Sequence, residues 1–164
     1  MKSGTRDGGR GRGNPDPAGL FEGAGPLVDR LRAEAPFISG QAMVARARQI
    51  LRELNEAEQI AVINAHPRIG ENAERVRAQS AASFKEQGYE RDDTPPDVLA
   101  RLAHLNEAYE QAFGFRFVVF VHGRPKADLI PVLEARLKRS RAEELETALA
   151  DIVAIAEDRL RQET

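Results

Sequence analysis

Phe115-Arg116-Phe117-Val118-Val119-Phe120-Val121 is the stretch on which the fold class turns. Apart from Arg116 it is aromatic and β-branched, and Gly114 and Gly123 bound it. By propensity such a segment is a strand. A strand needs a partner, and no other part of the chain reads as one. The segment is therefore read as a buried, extended or irregular connector near residues 115–121 of an all-α, single-domain helical bundle.

Outward from the connector the periodicity is helical. On its C-terminal side, a helix over about 141–162 has Leu145, Leu149, Ile152, Val153, Ala156 and Leu160 as its expected buried face. Before it, Thr94-Pro95-Pro96-Asp97 reads as a cap followed by proline at the first helical position. That helix carries Val98, Leu99, Leu102, Leu105, Ala108, Tyr109 and Phe113 on one side. Residues 72–87 are polar but rich in Ala, Arg, Glu and Gln, which favour helix. Asn55-Glu56-Ala57-Glu58 has the form of a capping box. The helix it opens carries Ile60 to Ile63 and should end near His66, because Pro67 biases the preceding residue out of the α region. Ser39 is the expected N-cap of a helix bearing Met43, Val44, Ala47, Ile50, Leu51 and Leu54. Leu20, Phe21, Leu27, Val28 and Leu31 begin the helical pattern.

Composition bounds the function. A chain of 164 residues, 41% apolar, can build one core. It has no cysteine, which excludes disulfide and thiolate chemistry and fits a cytoplasmic protein. No apolar run is long enough to span a membrane. The start lacks the apolar segment of a secretory signal, and the C-terminus carries no peroxisomal tripeptide. A formal charge of −2 gives no general case for nucleic acid. Residues 1–18 hold five glycines, Pro15 and Pro17 and almost nothing apolar, so they are read as a disordered leader before a helical domain at 19–164. The run Gly8-Gly9-Arg10-Gly11-Arg12-Gly13 has the form of an RNA-binding tail, but it is short and has no aromatic residues.

Three groups of residues could carry chemistry. His66 sits on stiff backbone at a helix end, where an imidazole could be aimed into a cleft for proton transfer or could simply be structural. Ser83, Glu86 and Gln87 share one helical face, suited to a polar heterocycle and equally to solvent. Arg159 lies near the C-terminus of an apolar helix, where it could complement the helix dipole or grip a carboxylate through two parallel hydrogen bonds. His104 reads as a surface residue and His122 as a loop residue. Scattered histidines without cysteine make no expected metal site.

Taken together, Ala65-His66-Pro67-Arg68-Ile69-Gly70, Ser83-x-x-Glu86-Gln87, Leu105-Asn106-x-Ala108-Tyr109-x-x-x-Phe113-Gly114-Phe115-x-Phe117-Val118-Val119 and Gly123-Arg124 closely resemble OHCU decarboxylase. The resemblance covers about Leu20 to Arg161. It implies an all-helical, cofactor-free homodimer. The implied substrate is the small molecule 2-oxo-4-hydroxy-4-carboxy-5-ureidoimidazoline, which the family converts to (S)-allantoin on the route from urate. It also implies that His66 and Glu86 are catalytic, that Arg159, Ser83, Gln87 and the backbone of Phe117, Val118 and Val119 bind substrate, and that Pro67 forms pocket wall. No metal, nucleic acid or membrane enters this expectation.

Three positions depart from the family pattern. Leu27 follows Pro26 where an aromatic residue is frequent, and Ala35 precedes Pro36 where arginine is frequent. Pro131 falls inside Lys126–Lys138, so a kink or a late helix start is expected there. A paralogue acting on a related ureido substrate, or a helical interaction module without catalysis, are the competing readings.

Overall fold

The computed structural model describes residues 15–23, 25–91 and 93–163. The leader expected over 1–18 lies outside the described residues for positions 1–14. The remaining positions already contribute to the fold, because α1 (Pro17–Phe21) starts at Pro17, capped by the Asp16 carboxylate. It is followed by α2 (Pro26–Glu34), α3 (Gly40–Glu53), α4 (Glu56–Asn64), α5 (Ala73–Gln79), α6 (Ala81–Glu86), α7 (Pro96–Phe113), α8 (Lys126–Arg136) and α9 (Arg141–Gln162). No strand forms among the described residues.

α9 is the central helix and packs against α1, α3, α4 and α7, while α8 lies along α7. The caps explain the boundaries. The Ser39 hydroxyl accepts from the Ala42 N–H, and Asn55 and Glu58 form the reciprocal capping box of α4. α4 stops at Asn64 with Ala65 as C-cap, immediately before the His66-Pro67 corner.

Four local expectations are corrected. The helix expected over 72–87 is two helices. It breaks at Ser80, whose extended backbone (φ −158°, ψ 112°) frees its hydroxyl to cap α6 through the Ser83 N–H. The cap of α7 is Pro95 rather than Thr94, and no side chain bonds to that end. Of the two outcomes expected at Pro131, the late start does not occur: α8 starts at Lys126 with Pro131 inside it, where the ring removes the N–H that would have bonded the Ala127 carbonyl. The buried face of α9 is rotated from that expected. Glu144, Ala148, Ile152, Val153, Ile155, Ala156 and Arg159 are buried, whereas Leu145, Leu149 and Leu160 are only partly covered.

The connector is buried and irregular, as its sequence suggests. Its apolar side chains fill the core beside α7. Tyr109 meets Phe117 edge-on with ring centroids 5.4 Å apart and Phe113 at 4.6 Å. Such pairs add about 0.5–1.5 kcal/mol beyond burial. Its backbone takes partners from side chains instead of a neighbouring strand. The Arg116 N–H donates to Asn64 Oδ1 at 3.0 Å and the Phe120 N–H to Asp151 Oδ2 at 3.2 Å. The Val118 carbonyl accepts from Arg136 Nη1 at 2.7 Å, and those of Phe120 and Val121 accept from Arg124. Buried backbone polar groups seek partners, and here Asn64 of α4, Arg124 before α8, Arg136 of α8 and Asp151 of α9 supply them. Arg136 is itself held by the fully buried Glu144, 2.7 Å away, which also accepts from the Tyr109 hydroxyl.

Candidate functional site

The corner after α4 is fixed from several directions. The Arg116 guanidinium donates to the carbonyls of Asn64 and His66, and Gln79 donates to that of Ala65. The Gln87 side chain accepts from the Gly70 N–H at 2.9 Å and donates to the Arg68 carbonyl at 3.2 Å. Asn106 donates to the Ile69 carbonyl at 2.8 Å. Gly70 has φ 77°, and a Cβ there would lie 3.1 Å from Leu102 Cδ1, so the turn needs glycine.

His66 is 4% exposed. Its Nδ1 lies 3.3 Å from the Val62 carbonyl. A carbonyl only accepts, so Nδ1 carries the proton of the neutral ring and Nε2 carries the lone pair. Nε2 is buried and has no hydrogen-bond partner among the described residues. Burial pushes the imidazole down from 6.5 to about 4; the Glu22 charge opposes that shift and Arg159 reinforces it. At neutral pH the ring is an uncharged base with an unsatisfied acceptor.

Opposite this corner α6 and α9 contribute a charged cluster. Arg159 Nη2 lies 2.7 Å from Glu86 Oε1, 2.5 Å from Glu22 Oε1 and 3.2 Å from Ser83 Oγ. Its Nε faces both oxygens of Glu86, and Nη1 donates to the carbonyls of Gly19 and Leu20. Every nitrogen of the guanidinium is thus engaged. Arg159 grips protein carboxylates here, and a ligand carboxylate would have to displace one of them or approach from the open side of the pair. Glu86 is held above the usual carboxylate range by burial and by the charges of Glu22 and Asp158, against the pull of Arg159.

These groups share one cavity of about 210 Å³. His66, Pro67, Ser83, Glu86, Gln87, Phe117, Val118, Val119 and Arg159 all line it, as do His122 and Asp158. Each residue expected to be catalytic or to bind substrate therefore reaches the same space, from the corner, α6, the connector and α9. Among the described residues no hydrogen-bond partner reaches the backbone N–H of Val118 or Val119. His104 is exposed on α7, away from this space.

Sequence reasoning missed Glu22. It is 5% exposed, and its Oε1 also accepts from the hydroxyls of Ser83 at 2.9 Å and Ser80 at 3.0 Å. Its backbone is left-handed in φ (63°), a conformation costing a non-glycine residue of order 1–3 kcal/mol. Local sequence gave no signal for it, since a glutamate before Gly23 reads as an ordinary helix end. His122, taken as a loop residue, sits in a turn with φ 50° at the mouth of the same cavity.

Fold and site together define a small all-α enzyme whose titratable groups converge on one pocket. Comparison with known proteins makes this specific. The family model described as OHCU decarboxylase matches residues 18–161. The chain is 27% identical over 143 residues to 2-oxo-4-hydroxy-4-carboxy-5-ureidoimidazoline decarboxylase of Haloferax volcanii, covering 87% of this chain and 83% of that protein. It is 28% identical over 144 residues to a uric acid degradation bifunctional protein of a Bacillus species, where it covers 88% of this chain but spans only 28% of the relative's length. A crystal structure of OHCU decarboxylase in the presence of (S)-allantoin superposes with a TM-score of 0.73 at 25% identity, covering 90% of this chain and 96% of that one. The chain belongs to the OHCU decarboxylase family.

Proposed function

We propose that the protein decarboxylates 2-oxo-4-hydroxy-4-carboxy-5-ureidoimidazoline to (S)-allantoin in urate degradation, without a cofactor. The observation that carries this reading is the meeting of His66 Nε2, unpartnered and neutral, with the Arg159–Glu86 pair across a cavity sized for one small heterocycle. The relatives' names and the crystal neighbour's (S)-allantoin agree with it.

The reaction breaks the bond between the ring carbon and its carboxylate. The released electron pair forms a double bond to the neighbouring ring carbon, the C=N pair passes to nitrogen, which takes up a proton, and CO2 leaves, so the ring is its own electron sink. The hydroxyl on the same carbon then becomes a ring amide carbonyl of allantoin as the neighbouring carbon gains a proton, and the hydroxyl proton must be taken up. His66 Nε2 is the acceptor for that proton. Its basicity, lowered by burial, rises when the substrate carboxylate arrives, because a nearby negative charge favours the imidazolium. Glu86, whose carboxyl protonates more readily than usual, holds the ring and takes part in delivering the proton to the neighbouring carbon. The connector backbone at Phe117, Val118 and Val119, which lines the cavity, suits the ureido group, Pro67 walls the pocket, and Ser83, Gln87 and Arg159 complete the contacts to the ring and its carboxylate. The donor set suits proton transfer, and among the described residues no cluster of His, Asp or Glu has the grouping of a metal site.

A homodimer in the cytoplasm acting on this small molecule, with no nucleic-acid or membrane partner, completes the proposal. Among the described residues no helix is long and apolar enough to cross a membrane. The test adds the protein to freshly generated substrate and follows optical activity. A rapid chiral signal is expected, since spontaneous decay gives racemic product. His66→Asn should lower turnover about 10²–10⁴-fold while keeping the helical spectrum. Wild-type turnover by that variant, once shown to be folded, would refute the assignment.

A further inference from the structure

We propose that Glu22 is a positioning residue of this site: from behind the pocket wall it orients the Arg159 guanidinium and the Ser83 hydroxyl so that Glu86 faces the substrate. The inference rests on the decarboxylase reading above and extends it to a residue outside the cavity lining.

Three observations support it. The first is the pattern of hydrogen bonds. A single oxygen, Oε1, accepts from Arg159 Nη2, Ser83 Oγ and Ser80 Oγ at 2.5, 2.9 and 3.0 Å. Arg159 and Ser83 line the cavity, but Glu22 does not. The carboxylate therefore acts only through other groups. The same Ser80 hydroxyl caps α6 through the Ser83 N–H, so Glu22 also fixes the end of the helix that carries Glu86.

The second is the backbone. Glu22 and Gly23 follow each other with φ values of 63° and 50°. Glycine would occupy position 22 without strain. A glutamate kept in that conformation is there for its side chain, and strain of this kind gathers at functional sites.

The third is charge balance. One guanidinium is shared by two carboxylates. Without Glu22, Arg159 and Glu86 would form a closed neutral pair, with Glu86 held ionised. With Glu22 present the cluster carries an excess negative charge, which favours a protonated Glu86. The charged and titratable groups facing Glu86 are Arg159 and Asp158 of α9 and Glu22; Lys85 and His122 line the same cavity. Those facing His66 are Glu22 and Arg159, beside the Val62 carbonyl.

Glu22→Gln keeps the size and the serine contacts and removes the charge. Expected are a kcat at least tenfold lower, a KM within about threefold of wild type, and a pH profile whose Glu86 limb moves to lower pH. A purely structural role would not move that limb. A folded Glu22→Gln protein with wild-type kcat and an unmoved profile overturns the proposal. Should Glu22→Gln not fold, Glu22→Asp keeps the charge but shortens the reach to Arg159, and it must also lower kcat; unchanged turnover there overturns the proposal as well. Failure of the decarboxylase reading is separable, because wild type itself would then be inactive. NMR titration of the His66 ring still decides the role of Glu22 in that case: a lower titration point in Glu22→Gln supports it, and an identical one refutes it.

Discussion

Replacing His66 by asparagine should flatten the acid sensitivity of the fold by an amount the geometry sets. In the folded protein the imidazole is buried, with Nδ1 donating to Val62 and Nε2 unpartnered, and its pKa is lowered from 6.5 to about 4. Above pH 6.5 the ring is neutral in both folded and unfolded chains and the shift has no effect on stability. As pH falls below 6.5, the unfolded chain binds a proton that the folded chain refuses, so stability is lost until about pH 4. The full effect is about 3 kcal/mol, at 1.36 kcal/mol per pH unit. At pH 4.5 the same linkage gives about 2.5 kcal/mol. Asparagine cannot titrate, yet its amide can still donate to the Val62 carbonyl. Urea unfolding of both proteins at pH 7 and pH 4.5 isolates the contribution, since the other titratable groups, among them the raised Glu86 and Asp151, are the same in each. Wild type should lose about 2.5 kcal/mol more than the variant between the two conditions. Equal losses would show that His66 is not buried as a neutral base, and the proton-acceptor role would fall with it.

Other outcomes can be checked alongside. Glu86→Gln should fold normally and lower kcat by about 10²-fold or more in the chiral assay, because it keeps a contact to Arg159 but can neither hold nor release a proton. Gly70→Ala should cost about 1–3 kcal/mol in thermal or urea unfolding, since it meets both a left-handed backbone and Leu102. Glu144→Ala should destabilise by about 3–5 kcal/mol, because it removes the fully buried partner of Arg136 and leaves it only the 3.6 Å ionic contact to Asp151, and it should lower activity too, because Arg136 holds the Val118 carbonyl.

The legible parts of this protein were those whose cause is local. Ser39 and Asn55 announced their helices because a cap bonds within three residues of itself. Pro67 announced the end of α4 because its ring acts on the residue before it. Pocket residues were legible only as a set, through the family pattern, since nothing about Ser83 or Gln87 alone separates a pocket from a wet helix face. Glu22 stayed hidden because its partners lie on α6 and α9, far along the chain. The rotation of α9 has the same origin. Glu144 and Arg159 look like surface charges in sequence, but each has a buried counter-charge on another segment, and those pairings carry polar positions inward in place of Leu145 and Leu160.

The connector has a consequence for the protein outside its folded state. Phe117-Val118-Val119-Phe120-Val121 is an uncharged run of high β-propensity, the kind of segment that stacks into cross-β aggregates when chains expose it. A pocket wall built as a sheet edge would offer that run to other molecules even in the native state. Here several of its polar groups are taken up by Arg136, Asp151 and Arg124, Phe117 packs on Tyr109, and Val118, Val119 and Val121 are buried. Solubility is thus tied to the docking of α8 and α9: opening those two helices should release the segment and start aggregation before the rest of the bundle has melted.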